Sequence, residues 1–124
     1  MSLRELDASL LNGQDLRSWL FQISMPIVIL VRSGNFNRIK CQSVLQMLEE
    51  ISQKPEFRDV VIFLHFDADE YFDFCKTISV MRVPTIIIYR TGKEIIRFSD
   101  GVNAGTIIQQ LHIITDPVRN HPVA

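Results

Sequence analysis

Cysteine is scarce in this chain. The two in 124 residues, Cys41 and Cys75, are too few for a disulfide framework and too far apart for a Cys-x-x-Cys motif. Long apolar runs are missing too: the longest, Pro26 to Val31 and Val60 to Leu64, fall well short of a membrane span. Neither sign of charge is in excess. Thirteen Lys and Arg against fourteen Asp and Glu leave a formal net charge of −1, which removes any global attraction to nucleic acid or anionic membranes. The opening stretch MSLRELDASLLNG carries acids early and lacks the apolar centre of a signal peptide, so a cytoplasmic or nuclear setting is expected. His65 has no Cys, His or acid at ligand spacing beside it, its neighbours Asp67 and Asp69 read as helix caps, and neither a metal nor a cofactor is expected.

What is present is core-forming material: 47% apolar residues against 22% charged, enough for one domain with one substantial core. Residues 1–115 are read as that domain, and Asp116 to Ala124, which holds Pro117 and Pro122, as a mobile tail. A short strand is expected near Leu6 to Leu10. Asn12 is expected to cap a helix starting at Gly13, with Leu16, Trp19 and Leu20 inward. Ile27 to Val31 is apolar at every position, which suits a strand covered on both faces. A polar loop, Arg32 to Asn37, leads to a helix capped by Asn37, in which Cys41, Val44, Leu45, Leu48 and Ile51 recur at helical spacing. After Pro55, Val60 to Phe66 is the second apolar strand, interrupted only by His65, which reads as a partly buried, satisfied side chain.

The stretch from Phe66 to Asp100 is the most informative. Asp67 and Glu70 form a capping-box pattern, and Tyr71, Phe74, Cys75 and Ile78 share one helical face. Arg82-Val83-Pro84-Thr85 ends that helix. Thr85 to Arg90, the turn Thr91-Gly92 and Lys93 to Phe98 then read as a β-hairpin. Asn103 is expected to cap a last helix with Ile107, Ile108, Leu111 and Ile114 inward.

This order of helix, apolar-Pro-Thr turn, strand, Gly turn and strand resembles the C-terminal half of the thioredoxin family. The resemblance implies an α/β thioredoxin fold, βαβαβαββα, with a central mixed sheet flanked by helices and a cis Val83-Pro84 bond beside the site. It also implies a Cys-x-x-Cys at the start of the helix after Ile27 to Val31, where amide N–H groups and the helix dipole stabilise a thiolate. Here that place reads Ser33-Gly34-Asn35-Phe36-Asn37-Arg38-Ile39-Lys40-Cys41. Aligned by its apolar face, Cys41 takes the second cysteine's place and Arg38 the nucleophile's. The family's buried strand acid is missing as well, since Ile27 to Val31 contains none.

The chain is therefore similar to redox-inactive branches that lack the motif: the phosducin-like proteins, the small spliceosomal thioredoxin-like protein and the substrate-binding domains of protein disulfide isomerases. Gly34, seven residues before a lone helix cysteine, resembles the spliceosomal branch in particular. By that resemblance the expected function is a non-catalytic protein-binding or adaptor domain using the former substrate groove. Gly34, Phe36, Arg38, Lys40, Arg82, Val83 and Pro84 are its candidate residues. A protein or peptide partner, acidic in character, would meet Arg32, Arg38, Lys40 and Arg82 with Phe36 as apolar anchor, and an extended peptide would pair with the Val83 backbone. The alternative is a monothiol or glutathione-linked oxidoreductase using Cys41; helical spacing also makes Cys41 an ordinary small core residue. Cys75 reads as core.

Overall fold

The apolar run Ile27–Val31 sets the architecture, because all five of its side chains are buried. The computed structural model describes residues 3–99 and 102–116. In it, β2 (Ile27–Arg32) is the middle strand of a five-stranded sheet ordered β1-β3-β2-β4-β5, with β1 (Arg4–Glu5), β3 (Ile62–Asp67), β4 (Thr85–Arg90) and β5 (Lys93–Ser99). β3 lies parallel to β1 and β2, whereas β4 runs antiparallel to both β2 and β5. Side chains alternate across a strand, so the run feeds two cores. Ile27, Ile29 and Val31 pack with α2 (Leu16–Gln22) and with Cys75 of α4 (Phe72–Thr77) on one face. Val28 and Leu30 pack with α3 (Arg38–Ser52) and α5 (Ala104–Thr115) on the other. This two-sided cover is why no polar residue interrupts the strand.

The β4–β5 hairpin forms through Thr91 (φ 51°) and Gly92 (φ 77°), both left-handed as a two-residue hairpin turn requires. A Cβ on Gly92 would meet the Phe21 ring at 2.4 Å, so the glycine also admits that ring. Asn103 caps α5 by accepting from the Thr106 N–H at 2.9 Å. Ile107, Leu111 and Ile114 are buried beneath it.

Four local expectations are corrected. No strand occupies Leu6 to Leu10: β1 is only Arg4–Glu5, and the Asp7 carboxylate accepts from the Leu10 N–H and the Ser9 hydroxyl, turning the chain into α1 (Ala8–Leu11). Asn12 caps nothing at Gly13. Both residues are left-handed, and α2 starts later, behind Asp15, which accepts from the Ser18 N–H at 2.8 Å. The strand expected from Val60 begins at Ile62, because the Val60 and Val61 N–H groups turn back onto the Phe57 carbonyl. The capping box is absent: Asp67 closes β3 and accepts from the Asp69 N–H, and α4 begins only at Phe72. From residue 117 onward, the expected tail lies outside the described residues.

Candidate functional site

The loop between β2 and α3 is tied down residue by residue. Ser33 is buried, and its hydroxyl accepts from the Asn35 and Phe36 N–H groups at 3.0 and 3.1 Å. The Gly34 N–H reaches Asp67 Oδ2 at 3.3 Å, and Asn35 Nδ2 reaches Asp69 Oδ2 at 3.3 Å. These bonds turn Phe36 outward, where it is 68% exposed. Asn37 stands in the left-handed region (φ 48°, ψ 41°) ahead of α3 and makes no side-chain cap bond. Its Nδ2 instead donates to the Val83 carbonyl at 2.9 Å, joining this loop to the Val83-Pro84 turn. That Val83-Pro84 bond is cis, Pro84 is buried, and Thr85 Oγ1 donates to the Arg82 carbonyl at 2.7 Å.

Between the loop, α4 and the proline turn lies a cavity of about 450 Å³. Phe36, Asn37, Asp69, Phe72, Cys75, Lys76, Met81, Arg82 and Val83 are among its walls. Its rim carries exposed apolar side chains, Phe72 at 60% and Met81 at 88% exposed. Ile39, in the first turn of α3 and not part of the cavity wall, is also 88% exposed. Lys76 Nζ sits 5.5 Å from the centre of the Phe72 ring. A broader depression of about 750 Å³, with Asp15, Glu70 and Asp73 in its walls, lies between α2 and α4 and shares only Asp69 and Phe72 with the first.

Of the residues read from the sequence as partner-binding, Phe36, Arg82 and Val83 line the cavity together. Gly34 lies in the loop behind it, Pro84 beneath the turn, and Arg38 and Lys40 are exposed at the start of α3 without lining it. Arg32 does not join them. Its guanidinium turns to the opposite edge, with Nε donating to His65 Nδ1 at 2.9 Å and ion pairs to Glu5 at 3.1 Å and Asp67 at 3.7 Å. Burial first, and the adjacent Arg32 charge second, hold the His65 pKa below its ordinary value. The Val83 carbonyl already accepts one hydrogen bond, from Asn37.

Neither thiol is presented. Cys41 is 2% exposed, its Sγ 3.7 Å from the Phe36 carbonyl. Cys75 borders the cavity yet is also buried, and burial, followed by the nearby Asp67 and Asp69 charges, pushes its pKa up. Among the described residues no group of three or more His, Cys, Asp or Glu side chains is placed to hold a metal ion.

Sequence reasoning missed Ile39, Phe72 and Met81, and took Asn37 for a simple cap. The signal was there in part. Phe72 falls off the Tyr71, Phe74, Cys75, Ile78 face of its helix, and Ile39 stands between two cations.

The Thioredoxin family profile matches residues 39–112, more than half of the chain, and opens just beyond the Gly34 to Arg38 loop. Thioredoxin Y, chloroplastic, of Oryza sativa subsp. japonica is 30% identical over 71 residues, covering 57% of this chain and 41% of that protein. Thioredoxin of Ictalurus punctatus is 31% identical over 72 residues, covering 58% and 65% respectively. The matches thus span less than two thirds of either relative. Among solved structures, thioredoxin NaTrxh from Nicotiana alata superposes with a TM-score of 0.69 at 18% identity, over 88% of this chain and 89% of that one. Malassezia sympodialis thioredoxin (Mala s 13) gives 0.68 at 18%, over 89% and 88%.

Proposed function

The chain belongs to the thioredoxin family, and from that premise we propose that it is a redox-inactive member, a protein-binding or adaptor domain that holds a partner in the groove beside Val83-Pro84. The observation that carries this reading is the set of exposed apolar side chains, Phe36, Phe72 and Met81, around one cavity of about 450 Å³. Large apolar groups in water around a concave site are the usual anchors of a protein interface. The chemistry of α3 supports the same reading. Its first turn begins with Arg38, and the single thiol that follows, Cys41, is buried. Lys76 and Arg82 stand in the cavity wall against one acid, Asp69, and Arg38 opens α3 directly after the Phe36-Asn37 stretch, which suits a partner segment carrying acids.

The test is capture from native extract. Phe36→Ala and Arg38→Glu weaken partner recovery while neither shifts stability by more than about 1 kcal/mol. Undiminished capture by both variants removes the groove from consideration.

A second reading, a monothiol or glutathione-linked oxidoreductase using Cys41, is favoured by the names of the relatives, both called thioredoxins. It requires Cys41 to reach solvent as a thiolate. Alkylation of the native protein across neutral pH decides it: labelling near pH 7 supports the enzyme, and protection until unfolding excludes it.

A further inference from the structure

An extended peptide docks on a sheet edge or turn by donating its backbone N–H groups to open carbonyls and accepting from open amides. At this groove the Val83 carbonyl already has an N–H in place, the Asn37 side-chain amide at 2.9 Å. Asn37 is built for the task. The Cys41 N–H bonds to the Asn37 carbonyl at 2.8 Å, so the backbone of Asn37 starts α3 as a cap residue should, while its side chain turns away from the helix. Its left-handed backbone is one that asparagine tolerates better than most residues.

We propose that Asn37 is a resident substitute for a partner's backbone N–H, and that the groove in consequence receives a helix rather than a strand. A helix satisfies its own backbone and needs no open carbonyl. What it needs is an apolar surface, and Phe36, Phe72 and Met81, which line the cavity together with Asn37, supply one. The occupant is a partner's amphipathic helix, with apolar side chains at i, i+3 or i+4, and i+7 entering the cavity. Acids flank that face toward Lys76, which lines the cavity. This assignment rests on the partner-binding reading given above.

The probe is a displayed library of random peptides of about 16 residues, long enough for four helical turns, selected separately on the wild-type chain and on Asn37→Ala. Wild type is expected to select peptides with helical apolar spacing that gain helical circular dichroism on binding and lose more than about tenfold in affinity against Phe36→Ala. Asn37→Ala is expected to admit peptides of alternating apolar pattern. Alternating peptides selected by wild type, or identical selections by both proteins, overturn the assignment. A companion measurement needs no partner: hydrogen exchange of the Asn37 side-chain amide by NMR. It is expected to be slowed at least about tenfold relative to a free amide, and exchange at the free rate overturns the proposal. A slowed amide with no peptide selected by either protein overturns the partner-binding reading itself, and the helix assignment with it.

Discussion

Two phenylalanines, Phe57 and Phe36, separate what holds this fold together from what it presents. Phe57 lies in the turn-rich segment before β3 and is completely buried, its ring 5.3 Å from that of His112 on α5. Truncation to alanine there removes a full aromatic side chain from a packed site, at about 3–5 kcal/mol. Phe36 is 68% exposed. Full burial of a phenylalanine is worth about 1.5–3 kcal/mol, and with only a third of the ring covered, Phe36→Ala should cost about 0.5–1 kcal/mol. Urea denaturation resolves the pair. With a slope of about 2 kcal/mol per molar, Phe57→Ala lowers the midpoint by about 2 M and Phe36→Ala by no more than about 0.5 M. Comparable losses in the two variants would mean that the Phe36 ring packs into the core in solution, and it could not then serve as an anchor. A Phe57→Ala loss under about 1 kcal/mol would refute the burial of Phe57 beneath α5.

Three further outcomes follow from single contacts. Arg38 opens a helix whose first turn holds no acid, so Arg38→Glu should raise stability by about 0.3–1 kcal/mol by thermal melting, and weakened capture could not then be blamed on unfolding. Gly92→Ala should lower stability by at least about 1–2 kcal/mol from the left-handed backbone alone, with the Phe21 ring displaced in addition; a neutral result in chemical denaturation would contradict the turn geometry. His65 titrates lower in the folded chain than its ordinary value of 6.5. Its neutral form is therefore the one the fold accommodates: stability is undiminished above about 6.5 and declines as pH falls from there through the lower folded value. Urea midpoints at stepped pH should show this decline in wild type and a shallower one in His65→Gln.

Much of the scaffold was legible because it depends on periodicity. Ile27–Val31, apolar at every position, suits a strand covered on both faces, and the Thr85–Arg90 strand, Thr91-Gly92 turn and return strand carry their hairpin in the residues themselves. The helix starts were less legible. Asn12, Asp15 and Asp67 are equally good caps by composition, and which one serves depends on how the chain enters the helix, a tertiary matter. The segment from Pro55 to Val61 escaped for a related reason: Phe57 is buried by its position under α5, with no periodic neighbours to announce it. At the site, the missing Cys-x-x-Cys was evident from the residues alone. The rim was not, because Phe72 and Met81 come close to Phe36 only when α4 and the proline turn fold against the loop. Charge misled in one place. Arg32 sits beside the loop in sequence, yet Glu5, His65 and Asp67 draw its guanidinium to the other edge.

The proposed role is to hold a partner and not to exchange a disulfide. The most direct measurement is the affinity of one captured partner, by titration calorimetry, for wild type, Phe36→Ala and Cys41→Ala under reducing conditions. Phe36→Ala should weaken binding by about tenfold or more, while Cys41→Ala should stay within about threefold of wild type. Binding that survives Phe36→Ala but is abolished by Cys41→Ala would contradict it.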